Sequence, residues 1–159
     1  MRVTLGSDHA GFELKQILSR HLEQNGYQVI DIGTNSADPV DYPDYAEKLA
    51  LSLLRGDSER GILICGSGVG ASVAANKIPG IRAGLSHDIY SAHQGVEHDD
   101  VNVLVLGARI IGPELAKDLS LAFLNARYTN EERHRRRLAK ILDIEKRYAA
   151  GNQSKEKSA

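Results

Sequence analysis

The sequence contains a single cysteine, Cys65, and no tryptophan among its 159 residues. One cysteine cannot form a disulfide within the chain, and it cannot supply a cysteine-rich metal cluster. We therefore expect Cys65 to be a free thiol in a reducing compartment, where its role is either packing or reactivity.

An excess of one charge and a long apolar run are also missing. Twenty Lys and Arg residues balance twenty-one Asp and Glu residues, so no global field draws the chain to nucleic acid or to an anionic membrane. No stretch approaches the roughly 18 apolar residues that span a bilayer, and the N-terminus lacks an apolar signal core. The sequence therefore predicts a cytosolic protein that binds neither nucleic acid nor membrane.

The chain does contain about five repeats of a short apolar run followed by an amphipathic segment. This alternation predicts one α/β domain over residues 1–149, with a five-stranded parallel sheet between two layers of helices and an extra C-terminal helix. Strands are predicted at 3–5, 29–32, 62–65, 81–85 and 101–106, and the later helices at Ile89 to Gln94, from Pro113, and from Asn130 to Tyr148. Residues 150–159 are almost devoid of apolar side chains, so a disordered tail is predicted there.

Ligands of open parallel sheets bind at the carboxyl ends of the strands, so the residues that follow each predicted strand are the first candidates for a functional site. They are Asp8 and His9, then Cys65 to Gly70, then Ser86 and His87, and finally Gly107 and Arg109.

The segment Cys65-Gly66-Ser67-Gly68-Val69-Gly70 reads as an anion-binding loop, because its glycines let backbone amides approach a ligand closely. The anion is a phosphate, a dinucleotide pyrophosphate or the oxyanion of an intermediate. Gly66, Gly68 and Ala71 satisfy a GxGxxA fingerprint, with Asp88 about twenty residues on. However, the chain has no second domain for such a cofactor's substrate. A cysteine phosphatase loop is excluded, since it needs Arg where this chain has Ala71.

Cys65 itself has two interpretations. It is either a small buried hydrophobe at the end of a strand, or a thiol whose thiolate is stabilised by neighbouring amides and serves as a base or nucleophile.

His9 and His98 are candidate acids, because acidic residues adjoin both. A lone loop histidine is more often structural, so that interpretation stays open. The set His93, His98 and Asp99 has irregular spacing that matches no metal-ligand pattern, so no metal site is predicted.

The only dense basic run is Arg133-His134-Arg135-Arg136-Arg137. In a helix, Arg133 and Arg137 stand on one face, where two guanidinium groups can clamp a phosphate. A solvated charged face is the alternative.

Taken together, an ordered set of segments over about residues 2 to 148 resembles the type B ribose-5-phosphate isomerases, a family that also includes allose- and galactose-phosphate isomerases. The resemblance is carried by Gly6 to Phe12, Asp41-Tyr42-Pro43, Ile64 to Gly70, Ala74 to Lys77, Gly80 to Ala83, His98, Asn102 to Leu104, Gly107 to Arg109, Arg133-His134 and Arg137.

The resemblance implies a Rossmann-like fold, and a homodimer or a tetramer of dimers whose active sites are shared between two subunits. It implies isomerisation of ribose 5-phosphate to ribulose 5-phosphate through an enediolate, without metal or cofactor, since the electrons stay within the sugar. Cys65 matches the base and His98 matches the ring-opening acid, with Asp8 nearby. Phosphate contacts fall on His9, Arg133 and Arg137, and a partner subunit is expected to supply Arg109, Arg133 and Arg137. Further substrate contacts fall on Tyr42, Gly66, Ser67, Gly68, Val69, Gly70 and Asp99.

Asp99 departs from the pattern, because many plain ribose-5-phosphate isomerases carry Asn there. A carboxylate only accepts hydrogen bonds, so its contact must be to a substrate hydroxyl. Allose 6-phosphate, galactose 6-phosphate and a tetrose phosphate therefore stay open as alternative substrates.

Overall fold

The computed structural model describes residues 1–156, with side chains described through residue 149. The strands are β1 (Arg2–Ser7), β2 (Gln28–Asp31), β3 (Arg60–Cys65), β4 (Ala83–Leu85) and β5 (Val103–Gly107). The helices are α1 (Phe12–Gln24), α2 (Tyr42–Leu54), α3 (Val69–Ala75), α4 (Ile89–Asp99), α5 (Pro113–Asn125) and α6 (Glu132–Glu156). A short 3₁₀ turn at His9–Gly11 leads into α1.

The five strands form one parallel sheet in the order β2-β1-β3-β5-β4. The chain adds β2 on one side of β1 and then crosses to add β3 on the other side. This reversal opens a crevice between the carboxyl ends of β1 and β3, which is where ligands bind in such sheets. Asp8 and Cys65 lie at those two strand ends.

Helices cover both faces of the sheet, and each face has its own apolar core. One core joins α1, α4 and α5 to the sheet through residues such as Leu18, Val96 and Phe123. The other joins α2 and α3 to it and includes Leu49, Ala71 and Cys65. The predicted three-layer α/β fold with a five-stranded parallel sheet is therefore confirmed.

Helix α6 lies outside these layers and packs mainly on α4. Within the described residues, no helix combines the length and low charge needed to cross a membrane. Helix α6 extends beyond the predicted end near Tyr148. It thereby includes residues 150–156 of the tail that the sequence predicts to be disordered, whereas residues 157–159 lie outside the described residues and their disorder stays a prediction.

Among the element boundaries that differ from the predicted ones, two have identifiable reasons. Strand β4 begins at Ala83 rather than Ile81, because the Ile81 N–H donates to Ile78 O and the Arg82 N–H to the Asn102 side chain. Helix α4 continues beyond Gln94 to Asp99, because the left-handed Asp100 turns the chain so that the N–H groups of Asp100 and Val101 donate to the carbonyls of Val96 and Gly95. His98 is thereby placed on a helix.

Candidate active site

A cavity of about 340 Å³ opens at the carboxyl ends of β1, β3 and β5. Its walls contain one thiol, one carboxylate, one phenol and one guanidinium group. The lining residues are Asp8, Tyr42, Cys65, Gly66, Ser67, Gly70, Arg109 and Ile110. All but Ile110 are residues that the sequence predicted for the site.

Cys65 ends β3 and is only 4% exposed. The N–H of Gly68 donates to its Sγ over 3.1 Å, in the direction that stabilises a thiolate. Gly68 adopts a left-handed conformation with φ at 82°, and a Cβ there would collide with Leu85 Cδ1. Glycine at this position therefore serves the turn and its packing, which brings the amide back onto the sulfur.

Tyr42, the first residue of α2, covers the far end of the glycine loop. A Cβ at Gly70 would stand 2.6 Å from Tyr42 Cζ, so the aromatic ring occupies the space that the missing side chain leaves. The Tyr42 ring is 40% exposed and forms one wall of the cavity.

The segment after β5 closes the cavity from the opposite side. The N–H groups of Ala108 and Arg109 donate to the carbonyls of Cys65 and Gly66, both over 2.9 Å. The guanidinium carbon of Arg109 lies 3.5 Å from where a Cβ at Gly66 would stand. Arg109 thus lies in the cavity of its own chain, whereas the family resemblance implies that a partner subunit supplies it.

Asp8 and His9 follow β1, and both have partners within the chain. The Asp8 carboxylate is buried and accepts from the Gly11 N–H over 3.1 Å, which caps the 3₁₀ turn. His9 Nδ1 lies 3.2 Å from both the amide nitrogen and the carbonyl oxygen of Val40, so it bonds to that backbone in either neutral tautomer. His9 therefore holds the loop before α2 through Nδ1, and Nε2 is the ring nitrogen left for a ligand.

His98 lies in the last turn of α4, outside the walls of the Cys65 cavity. Gln94, one turn earlier, places its amide nitrogen 2.6 Å from His98 Nδ1. If that amide donates, a neutral His98 carries its hydrogen on Nε2 and can present it as an acid. The His98 ring stacks on His134 of α6, with the ring centroids 4.0 Å apart.

His134 is buried at the start of α6. Its Nδ1 lies 2.6 Å from Thr129 Oγ1, and that hydroxyl donates to Glu97 O, so Nδ1 is the donor to Thr129. Its Nε2 has no hydrogen-bond partner among the described residues. Burial lowers the pKa of His134, and the nearby His98 and Arg133 lower this pKa further.

The other predicted residues also lie outside the Cys65 cavity. Arg133 and Arg137 are exposed on α6, and Arg133 Nε pairs with Glu131 Oε2 at 3.0 Å. Asp99 lines a separate cavity of about 370 Å³, together with Arg82 and Glu145. The predicted site is therefore split within one chain. The thiol lies at the sheet, whereas His98, Asp99 and the two arginines lie around the contact between α4 and α6.

Sequence reasoning did not assign a site role to Ile110, Gln94 or His134. Ile110 is apolar, so the pattern of polar residues after the strands does not predict it. Gln94 lies four residues before His98, a spacing that brings two side chains together in a helix, but the helix was predicted to end there. His134 was noted within the family motif and given no role of its own.

Within the part of the chain that the structure describes, no group of three or more His, Cys, Asp and Glu residues is arranged to hold a metal ion. His93, one of the residues considered for a metal site, contacts Glu97 instead, with Nδ1 and Oε2 3.3 Å apart.

Comparison with known proteins gives consistent matches over most of the chain. The family model described as Ribose/Galactose Isomerase matches residues 3–141. The chain is 47% identical over 146 residues to ribose-5-phosphate isomerase B of Escherichia coli, which covers 92% of this chain and 97% of that protein. It is 42% identical over 130 residues to D-erythrulose-4-phosphate isomerase of Pectobacterium atrosepticum, covering 80% and 85%. The solved structure of Clostridium thermocellum ribose-5-phosphate isomerase B superimposes with a TM-score of 0.90 at 45% identity, covering 93% and 99%.

Proposed function

The chain belongs to the ribose/galactose isomerase family, and we propose that it interconverts ribose 5-phosphate and ribulose 5-phosphate with Cys65 as the base. That it is an aldose–ketose isomerase of sugar phosphates follows from its relatives and structural neighbours. The individual sugar and the roles of the residues are the proposal. Two relatives named for ribose 5-phosphate match nearly their whole length, which supports the choice of sugar.

The observation that carries the assignment of the base is the position of the Cys65 thiol. It lies in a cavity at the switch point of the sheet, with its sulfur 3.1 Å from the Gly68 N that donates to it. The thiolate takes the proton from C2 of the open-chain aldose, and the electron pair moves through C1 onto the carbonyl oxygen. The proton on the C2 hydroxyl passes to that oxygen, and the thiol then returns its proton to C1. No electrons leave the sugar.

The enediolate that forms between these two steps needs hydrogen-bond donors already in place. The Ser67 hydroxyl and the amides of Gly66 and Gly70 border the cavity and can supply them. The guanidinium group of Arg109 adds a positive charge at the same wall. These groups support stabilisation of an oxyanion beside the thiol.

His98 is proposed as the acid that opens the furanose ring, and it would reach the Cys65 cavity of a second subunit. Its Nδ1 is held by Gln94, which leaves Nε2 to donate the proton to the ring oxygen. Arg133 and Arg137 would travel with it on α6 and bind the phosphate, together with His9 from the subunit that supplies Cys65. Because His98 and both arginines lie outside the Cys65 cavity of their own chain, a shared site in a homodimer or tetramer unites them.

The surface beside the cavity supports such an association. Val69 and Val73 on α3 are 54% and 57% exposed, and Ile110 at the cavity wall is 59% exposed. Val69 and Val73 are one turn apart on α3 and so are neighbours on its surface, and contiguous exposed apolar side chains mark interaction surfaces.

A second candidate substrate class rests on Asp99. This residue stands where many ribose-5-phosphate isomerases carry Asn, and one relative of the chain is named as an isomerase of a tetrose phosphate. Asp99 would accept from a sugar hydroxyl and could thereby change which sugar phosphate is preferred.

The test is a panel of sugar phosphates, with kcat/KM measured in parallel for ribose 5-phosphate, allose 6-phosphate, galactose 6-phosphate and D-erythrulose 4-phosphate. Ribose 5-phosphate is expected to give the highest value. The variant Asp99→Asn is the matched probe, and we expect it to sharpen the preference for ribose 5-phosphate. A higher kcat/KM for any of the other sugars would overturn the assigned substrate.

A further inference from the structure

His87 lies between the end of β4 and the start of α4, near the cavity but outside its walls. Strand β4 pairs with β5 only as far as Leu85 opposite Val105, and the last backbone bond runs from the Ser86 N–H to Val105 O. The next N–H of β5 on the side of β4 belongs to Gly107, and it donates instead to His87 Nε2 over 2.9 Å. A side chain thus takes the place of the strand carbonyl that β4 no longer provides.

The peptide that His87 holds lies directly beneath the glycine loop. A Cβ at Gly107 would stand 2.5 Å from Ser67 O, and a Cβ at Gly68 would stand 3.1 Å from Leu106 C and 3.3 Å from Gly107 N. These distances show two stretches of backbone packed against each other without intervening side chains. Any shift of the 106–107 peptide therefore moves the loop above it.

The other side of that loop carries the bond to the thiol. Gly68, which packs on the 106–107 peptide, donates its N–H to Cys65 Sγ. The contact at His87 and the contact at Cys65 are therefore joined through one packed layer of backbone.

We propose that His87 is a positioning residue for the Cys65 thiol, because its hydrogen bond to Gly107 fixes the peptide that supports Gly68 against the sulfur. The role requires an acceptor at Nε2, so the working form of His87 is the neutral ring with its hydrogen on Nδ1. The proposal rests on the proposed function of Cys65 as the base, and it concerns a residue that does not itself touch the substrate.

Two variants of matched chemistry separate this role from mere packing. In His87→Gln the amide oxygen reaches about as far as the imidazole Nε2 and can accept from Gly107. In His87→Asn the same amide is one methylene shorter and cannot reach. Both side chains are polar, so neither leaves an apolar group at this half-buried position. Thermal unfolding of both variants checks that each one folds.

The first readout is steady-state kinetics on ribose 5-phosphate. We expect His87→Asn to lower kcat by about tenfold with KM within about twofold, because the base is misplaced while the substrate contacts remain. We expect His87→Gln to recover most of the loss. If His87→Asn keeps the wild-type kcat, or if Gln and Asn are equally impaired, the proposal is overturned.

The second readout does not depend on isomerisation. Cys65 is the only cysteine in the chain, so the rate of alkylation by iodoacetamide as a function of pH reports on this thiol alone. The ionisable groups around it in the cavity, Asp8, Tyr42 and Arg109, are unchanged in both variants. The midpoint of the alkylation profile is expected to move to higher pH in His87→Asn and to return in His87→Gln, since the Gly68 N–H stabilises the thiolate.

An unchanged midpoint in His87→Asn would contradict the positioning role whatever the activity. If Cys65→Ser instead kept its activity while His87→Asn still shifted the midpoint, the assignment of the base would fail and the positioning of the thiol would stand. The two failures are therefore distinguishable.

Discussion

The imidazole rings of His98 and His134 stack with their centroids 4.0 Å apart and an angle of 27° between their planes. His98 comes from the last turn of α4 and His134 from the first turns of α6, so the stack joins the two helices that carry the second half of the proposed site. Two cationic rings would repel each other at this distance, and His134 also lies beside Arg133 and Arg137. The pair therefore favours a state in which His134 is neutral.

The pH dependence of stability follows from that preference. Burial lowers the pKa of the folded His134 below the ordinary value of 6.5, so the unfolded chain binds more protons between the two values. The contribution of neutral His134 to the free energy of unfolding is fully present above about pH 6.5. It declines as the pH falls towards the lower pKa that His134 has in the folded protein. We expect the melting temperature to drop between about pH 7.5 and pH 5.5, and to drop less in His134→Phe. The control is His93→Gln, a substitution at a half-exposed histidine. If the melting temperature of His134→Phe falls as much as that of the wild type, His134 is not the source of the pH dependence.

An alanine at Gly68 would destabilise the protein in two ways, through its left-handed backbone and through collision of its Cβ with neighbouring atoms, and the two effects can be measured separately. Gly26 has the same left-handed backbone, with φ at 83°, and nothing within 4 Å of a Cβ, whereas a Cβ at Gly68 would meet Leu85 and the backbone of Leu106. Gly26→Ala should lower the free energy of unfolding by about 1–2 kcal/mol and leave kcat unchanged. Gly68→Ala should cost more than this and lower kcat as well, because it displaces the amide that donates to Cys65. Urea unfolding and steady-state kinetics measure both effects, and equal costs at the two sites would contradict the packing described.

The proposed sharing of the active site between two subunits predicts complementation between two inactive variants. In a mixed dimer of Cys65→Ser with His98→Asn, one of the two sites combines an intact Cys65 with an intact His98. An equal, fully exchanged mixture should therefore recover about a quarter of the wild-type activity, since half of the dimers are mixed and each has one working site. Cys65→Ser mixed with the double variant Cys65→Ser/His98→Asn is the control and should stay inactive. No recovery in the first mixture would mean that both residues act within one chain.

The arginines of α6 give a prediction on substrate affinity. Arg137→Ala should raise KM for ribose 5-phosphate by about tenfold or more with a smaller effect on kcat, because it removes a charged hydrogen-bond donor to the phosphate. Arg136, the preceding exposed arginine on the same helix, is the matched control for the loss of one positive charge. If the two variants raise KM equally, the phosphate is attracted by the general field of the helix rather than held by Arg137.

The sequence predicted the layers of the fold and most of the Cys65 cavity, because both depend on local patterns. The apolar run at 62–65 is a buried strand, and its glycine loop does bring an amide onto the thiol. The carboxyl ends of parallel strands meet at one edge of a sheet, so Asp8 and Arg109 could be placed near Cys65 from the order of the elements alone.

The sequence could not predict contacts between residues far apart in the chain. Tyr42 over Gly70, His98 against His134 and His87 with Gly107 each depend on how two elements pack. The run Glu97 to Asp100 is polar and typical of a loop, yet Glu97 to Asp99 complete α4, and Asp100 caps this helix in a left-handed conformation with φ at 50°. The polar residues there belong to a helix end that carries residues proposed for the site, and local patterns do not distinguish such a helix end from a turn.

The central claim is that the Cys65 thiol moves the proton between C2 and C1. The most direct measurement is the isomerisation of ribose 5-phosphate by Cys65→Ser, with the binding of the sugar phosphate followed by calorimetry on the same preparation. We predict that kcat falls by about a thousandfold while the dissociation constant stays within about threefold of the wild type, because the phosphate contacts are untouched. Retention of most of the activity would contradict the claim and return Cys65 to the role of a buried hydrophobe at the end of β3.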